Sequence, residues 1–483
     1  MKRISFTLLG VIIFLLLKTS VTNCQVNKKI LAGSWLGNLE TGAINLRLVF
    51  NLILNDEDFL IATLDSPDQG AKNIPLGKVS VRNDSLIIEA PLLKGLYHGI
   101  IVNDILINGI WEQNGMSFNV ILKKLLSKFV LNRPQEPHPP YPYRVEEVTI
   151  PNKKFNIFLS GTLTIPEGNG PFPGVVLISG SGAQNRDEAI MGHKPFLVIA
   201  DRLTRNGIAV LRYDDRGVGK SQGINAEATT ADLATDADAA FQFMKTHKEI
   251  NPSAIGLIGH SEGALIAAIV AASNNDVSFI ISMAGPGVKG EEILFRQQSD
   301  ISRLSGVKEE DIKTSAAINR KLFDIIKKEK DDLKAEEKVM NYYNKILSKQ
   351  KISLQEREKL ISQLQSSFNA STYPWLRYFL ITDPSDYWKK VKCPVLALNG
   401  EKDTQVAADI NLPAIEKAVK SGGNNNIKTV KLPGLNHLFQ HCSTGLPSEY
   451  AQIEETISPE VLELICEWIK SHPFSLQALH TEE

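Results

Sequence analysis

The residues best suited to chemistry sit in a five-residue knot, Gly259-His260-Ser261-Glu262-Gly263, inside the stretch IGLIGHSEGALIAAIVAAS at 255–273. A run that reads as a buried strand stops there and an Ala-rich run that reads as a helix begins, with no room for a loop. A residue in so sharp a turn takes a strained backbone conformation, so its neighbours at −2 and +2 must be small, and Gly259 and Gly263 meet that need. The turn would lift the Ser261 hydroxyl above the edge of a sheet, at a helix N-terminus. The backbone N–H of Glu262 would then face a developing oxyanion. A serine hydroxyl is a poor nucleophile until a base takes its proton. His260 is adjacent in sequence, so its side chain points elsewhere and is read as structural. Of the nine histidines, His437 is the best base, because it follows TVKLPGLN, where a late strand ends in a Pro-Gly loop. PVLALNGEKDTQV (394–406) offers the partner carboxylate, Asp403, with Glu401 as the nearby competitor. Asp403 would hold the His437 ring in one tautomer and stabilise its charged form. VVLISGSGAQNRDE (175–188) offers a second oxyanion donor, the N–H of Ser181, in a Gly-Ser-Gly turn where backbone can approach a substrate. A bare G-x-S-x-G match is weak; a strand before it and a helix after it give it weight.

Those residues need a scaffold. VVLISG (175–180), IAVLRYD (208–214), AIGLIG (254–259), SFIISMAG (278–285), PVLALNG (394–400) and IKTVKLPG (427–434) are short, nearly continuous apolar runs, as expected of strands buried on both faces. Between them KPFLVIADRLTRNG (194–207), ATDADAAFQFMKTH (234–247) and EGALIAAIVAAS (262–273) read as helices. The alternation argues for a parallel sheet with helices on both faces, over 147–286 and 391–475. Residues 287–390 interrupt it with a charged, strand-poor, helical insertion whose tail, 368–388, is aromatic. It reads either as helices packed on the sheet or as a lid that walls a pocket.

Upstream, residues 30–130 read as a small all-β barrel or sandwich, with runs such as INLRLVFNLIL (44–54), SLIIEA (85–90) and MSFNVILKKL (116–125) between Asn, Asp and Gly turns. A module of this kind binds or shields something. The Pro-rich stretch at 131–146, with RPQEPHPPYPYR at its centre, reads as a semi-rigid extended linker. At the start of the chain Lys2 and Arg3 precede FTLLGVIIFLLL (6–17) and a polar exit, the pattern of a signal peptide over 1–24. The apolar run is short of the roughly 20 residues a spanning helix needs. An uncleaved anchor is the alternative, and Cys24 stands where a lipoprotein cysteine could stand. The expectation is a secreted or periplasmic protein with no membrane span once the signal is removed. Besides Cys24, the cysteines are Cys393, Cys442 and Cys466, too few for a disulfide framework, although one bridge such as Cys442–Cys466 is open in an oxidising compartment.

The 483-residue chain carries 53 basic and 54 acidic residues, a net charge of −1, which gives no electrostatic case for nucleic acid. No repeat of fixed period is visible.

Residues 145–475 resemble the α/β-hydrolase family. GHSEGA is similar to its nucleophile elbow, GEKDTQV to its acid loop, and YDDRGVGKS (213–221) to a segment common near the base of its sheet. SGSGAQNRDE resembles the oxyanion loop of its bacterial esterase and serine-aminopeptidase-like branch, with Ser179 standing where many members have His. The β-rich N-terminal domain plus linker is similar to that of secreted bacterial hydrolases. The resemblance implies a sheet with a helical lid and a triad in the chain order Ser261, Asp403, His437, acting on a small-molecule ester or amide without metal or organic cofactor. Carboxylic ester hydrolysis is the first expectation. Peptidase or thioesterase action by the same triad is the second. A binding role for the β-domain, with an inert hydrolase attached, is the third. Oligomeric state is left open.

Overall fold

A computed structural model describes residues 28–472 apart from 41–44, 114, 351 and 368–372. The expected signal peptide and Cys24 lie outside the described residues, as does part of the aromatic tail of the insertion. No helix among the described residues is long and apolar enough to cross a membrane.

After a short helix α1 (Lys28–Leu31), nine antiparallel strands form one curled sheet. They are β1 (Gly33–Glu40), β2 (Asn45–Leu54), β3 (Leu60–Ser66), β4 (Ala71–Pro75), β5 (Val79–Arg82), β6 (Ser85–Ala90), β7 (Gly95–Asn103), β8 (Leu106–Gln113) and β9 (Met116–Lys124), in the spatial order β4-β3-β2-β1-β9-β8-β7-β6-β5. The chain between the two edge strands brings them round: Leu76 N donates to Ala62 O in β3, and Gly77 N to Glu89 O in β6. Alternate inward residues, among them Trp35, Phe50, Tyr97 and Trp111, fill the interior, so the sheet closes on a packed core and not on a sandwich.

The second sheet has eight strands in the order β10-β11-β13-β12-β14-β15-β16-β17. They are β10 (Tyr143–Asn152), β11 (Ile157–Pro166), β12 (Phe172–Ile178), β13 (Ala209–Tyr213), β14 (Ile250–His260), β15 (Ile280–Met283), β16 (Val395–Gly400) and β17 (Ile427–Leu432). From β13 to β17 the pairing is parallel; β10 and β11 form an antiparallel hairpin at one edge. Sequence reading misses that hairpin. Its first strand starts inside the Pro-rich segment, and its partner carries polar residues at Ser160, Thr162 and Thr164, which blur the apolar run.

Helices α2 (Pro195–Arg205) and α12 (Pro459–Lys470) cover one face of the sheet, and α3 (Thr230–Thr246), α4 (Glu262–Ser273) and α11 (Ala408–Ser421) the other. Between β15 and β16 comes the helical insertion: α5 (Gly290–Leu304), α6 (Glu309–Lys328), α7 (Asp332–Leu347), α8 (Leu354–Ser367), α9 (Tyr373–Ile381) and α10 (Ser385–Trp388). Its helices α6, α7 and α9 share a core of their own, built on Leu322, Ile326, Val339, Tyr373 and Leu380. Its two ends are pinned together, because Trp388 Nε1 donates to Pro286 O at 2.9 Å. The insertion therefore leaves and rejoins the sheet at one place on its rim.

Cys393, Cys442 and Cys466 are free, so the Cys442–Cys466 bridge is not formed. Cys466 is buried on α12 among apolar side chains, whereas the Cys442 thiol points to Gly434 O at 3.4 Å.

Candidate active site

Ser261 sits between β14 and α4 with φ 53° and ψ −121°, a backbone conformation that non-glycine residues avoid. A Cβ on Gly259 would lie 2.1 Å from Gly263 O, and one on Gly263 would lie 2.1 Å from Ile178 O. The start of α4 is thus pressed onto the end of β12, and only glycine fits at both flanking positions. Ser261 N donates to Met283 O at 2.8 Å, which ties the turn to β15. Helix α4 is buried along nearly its whole length, so the turn has a rigid base.

Asp403 follows β16. Its Oδ1 accepts the N–H groups of Gln405 and Val406, each at 2.8 Å, and its Oδ2 lies 2.8 Å from Nδ1 of His437. Its side chain is fully buried. A carboxylate can only accept here, so Nδ1 carries the proton and Nε2 presents a lone pair, the tautomer a general base requires. The acid and base loops are laced together, with Glu401 N donating to Leu432 O and Lys402 N to Leu435 O. The competitor Glu401 turns the other way, accepting from Gly434 N at 3.2 Å. The His437 ring packs against the ring of His260, the neighbour of Ser261, with centroids 4.8 Å apart. No hydrogen bond among the described residues joins Ser261 Oγ to His437 or engages its Nε2; such contacts are often long before substrate binds.

The loop after β12 is the one expected to supply the oxyanion donor Ser181. A Cβ on Gly180 would lie 3.2 Å from Cβ of Ser261, so this loop runs alongside the serine. The N–H groups of Ser181 and Glu262 have no acceptor among the described residues. The end of β13 supports the loop from below. Ser179 Oγ donates to Asp215 Oδ1 and Gln184 N to Asp215 Oδ2, both at 2.9 Å. Arg186 holds Asp214 through its backbone N and its guanidinium. Burial pushes the Asp215 carboxyl up to about 7, against the anion-stabilising pull of the Gln184 N–H and the Ser179 hydroxyl; the carboxylates of Glu188 and Asp236 add to the rise.

Sequence reasoning missed Glu188. Its buried carboxylate Oε1 accepts Gly180 N at 2.7 Å and lies 2.9 Å from Nδ1 of His260, whose Nε2 in turn lies 3.0 Å from His437 O. One carboxylate and one imidazole therefore connect the oxyanion loop, the serine turn and the base loop. Burial penalises the His260 imidazolium, but the Glu188 charge and hydrogen bond outweigh it and hold the pKa above the ordinary histidine value. Nothing local marks Glu188, because its partners are remote in sequence. The Glu262 side chain was also missed: Oε1 accepts from Thr230 Oγ1 at 2.6 Å and from Trp375 Nε1, on α9, at 2.9 Å. The insertion thus reaches the serine turn.

Glu146, His247 and Glu249 bring possible metal ligands within 4.8 Å of one another near the β10 edge. Arg144 already pairs with both carboxylates, at 2.6 and 3.7 Å, and supplies the positive charge a cation would. An open groove of about 800 Å³ between the β10–β11 turn, α3 and the far end of α4 lies away from Ser261. A strained serine, a carboxylate-oriented imidazole and two unpartnered N–H groups are the equipment for acyl transfer.

Residues 194–377 match the family described as serine aminopeptidase, S33. The match contains Ser261 and ends before Asp403 and His437. Esterase EstD of Thermotoga maritima is 25% identical over 312 residues, 64% of this chain and 65% of that protein. A peroxisomal succinyl-coenzyme A thioesterase of Mus musculus is 27% identical over 144 residues, 30% of this chain and 31% of that one. The chain thus spans less than two thirds of the length of these relatives. Among solved structures, a hypothetical protein PA2218 from Pseudomonas aeruginosa aligns with a TM-score of 0.46 at 16% identity, covering 72% of this chain and 100% of that one.

Proposed function

We propose that this chain, which matches the serine aminopeptidase S33 family over residues 194–377 and is similar to an esterase, is a serine hydrolase of the α/β-hydrolase kind that cleaves carboxylic esters of small molecules, with Ser261 as nucleophile, His437 as base and Asp403 as its orienting acid. The observation that carries the reading is the 2.8 Å contact between His437 Nδ1 and the buried Asp403 carboxylate, on loops that flank a strained serine.

Ser261 Oγ attacks the acyl carbonyl as Nε2 of His437 takes its proton. The tetrahedral oxyanion forms against the N–H groups of Ser181 and Glu262, where preorganised donors stabilise charge without reorganising. Collapse of the intermediate breaks the ester C–O bond, and His437 returns the proton to the departing alkoxide. Water, deprotonated by the same imidazole, then attacks the acyl-enzyme and releases the acid and Ser261. The helical insertion acts as a lid that walls the acyl pocket, with Trp375 against Glu262 as its contact. Export through residues 1–24 belongs to this reading.

Ser261→Ala is expected to lower turnover of p-nitrophenyl acetate by at least about 10³-fold with the fold intact. A variant that keeps most of the rate overturns the assignment. Faster cleavage of an aminoacyl nitroanilide than of a short acyl ester by the unmodified protein would move the substrate class to amides.

A further inference from the structure

The Pro-rich segment does not behave as a spacer. Arg133 is 9% exposed, and its guanidinium donates into two separate parts of the hydrolase domain. Nε and Nη2 reach Gly192 O and Met191 O at 3.1 and 3.2 Å, in the segment that follows Glu188. Nη1 and Nη2 reach Ile453 O and Ala451 O at 3.0 and 3.1 Å, in the segment that follows the base loop. Arg47, on β2 of the barrel, donates to the same Ala451 carbonyl at 2.5 Å and pairs with the buried Asp68. Gln135 accepts Thr456 N at 2.6 Å and donates to Ile457 O at 2.7 Å. Burial and the adjacent Arg47 pull the Arg133 guanidinium down to about 10, so a desolvated charge is kept here for the carbonyls it serves.

The gripped segment leads to both catalytic loops. Tyr450 OH accepts from Gln405 Nε2 at 3.0 Å, and Gln405 N is one of the two donors on Asp403 Oδ1. Gln440, three residues past His437, donates to Glu455 O at 2.9 Å, and Ser458 N donates to Phe439 O at 2.8 Å. Buried His193 fastens the two gripped segments to each other, with Nε2 2.8 Å from Tyr450 O and Nδ1 3.0 Å from Thr456 Oγ1.

We propose that Arg133, backed by Gln135 and by Arg47 of the barrel, is a positioning clamp that holds the acid and base loops in register, so that the N-terminal β-domain is an internal part of the hydrolase site. This rests on the acyl-transfer reading of Ser261. Charged hydrogen bonds to backbone carbonyls fix loop geometry more tightly than apolar packing, because they are directional. Displacements below 1 Å in the orienting carboxylate are enough to slow proton transfer.

The test uses the full chain, with Arg133→Ala, Arg133→Lys, Gln135→Ala and, as control, Lys28→Ala, whose partner Asp58 lies within the barrel. The readouts are the labelling rate of Ser261 by an alkyl fluorophosphonate, kcat and KM on p-nitrophenyl acetate, and Tm. Arg133→Ala is expected to cut the labelling rate and kcat about tenfold with KM within twofold, Arg133→Lys to recover part of the loss, Gln135→Ala to lose several-fold, and Lys28→Ala to change neither. A lowered Tm with labelling within twofold of the unmodified protein in both Arg133→Ala and Gln135→Ala overturns the clamp and leaves a structural seam. If Arg133→Ala does not fold, Gln135→Ala and Arg133→Lys decide the matter by the same criterion. Labelling without ester turnover in the unmodified chain sinks the ester reading alone, since the labelling rates still judge the clamp. A chain that is never labelled overturns both.

Discussion

At the scale of the residue, the proposed chemistry depends on which atom of His437 holds a proton. Asp403 settles this by accepting from Nδ1 while its other oxygen is held by two backbone N–H groups. Asp403→Asn keeps the shape but can turn an N–H₂ toward Nδ1, which then becomes the acceptor and leaves Nε2 protonated. The expected cost is about 10³–10⁴-fold in kcat with KM little changed, by analogy with the amide replacement in other triads. Steady-state kinetics on p-nitrophenyl acetate check it, and a loss below tenfold would mean that Asp403 does not orient the base. The strand ends preceding Ser261, Asp403 and His437 can be read from apolar runs followed by Gly or Pro-Gly. Glu188 cannot, because its role exists only where Gly180, His260 and the base loop converge.

At the scale of the element, the end of β13 holds the proposed oxyanion loop through Asp214 and Asp215. The Asp215 carboxyl is raised to about 7, above its value of roughly 4 in an unfolded chain, so the folded state binds its proton more tightly. Such a group costs no stability below pH 4. The cost grows as the pH rises from 4 to 7 and is complete above 7. Asp215→Asn removes the charge; with the amide oxygen in the place of Oδ2 it still accepts the Gln184 N–H, and the rotatable Ser179 hydroxyl can accept from the new N–H₂ group in the place of Oδ1. The variant is expected to be more stable than the parent at pH 8, by on the order of 4 kcal/mol, and close to it at pH 4. Urea unfolding at the two pH values measures the difference; an effect independent of pH would show that Asp215 is ionised throughout. The six central strands and the helices between them are legible as elements because each must bury an unbroken apolar run. The β10–β11 hairpin is hidden because edge strands carry polar residues and turn prolines.

At the scale of the whole molecule, the apolar core of the barrel and the two cores against the eight-stranded sheet meet across a polar seam built on Arg47, Arg133 and Gln135. Arg47 neutralises Asp68, which is fully buried. Arg47→Ala strands that carboxylate and is expected to cost the barrel about 3–5 kcal/mol. Because the seam is polar and the cores are separate, the loss should fall on the barrel and split calorimetric melting into two transitions, the upper one close to that of the parent. A single transition that moves as a whole would instead make barrel and hydrolase domain one cooperative unit.

The sequence by itself determined the order of the six central strands and of the helices between them, and the turn that strains Ser261. These follow from local causes: apolar periodicity, and the steric demand for glycine on either side of a tight turn. Only the tertiary structure decided that Asp403 and not Glu401 faces His437, that Glu188 serves two loops at once, and that Arg133 grips carbonyls 320 residues further along the chain. Contacts of that kind leave no mark on neighbouring residues, since their partners are chosen by how the sheet folds and not by spacing along it.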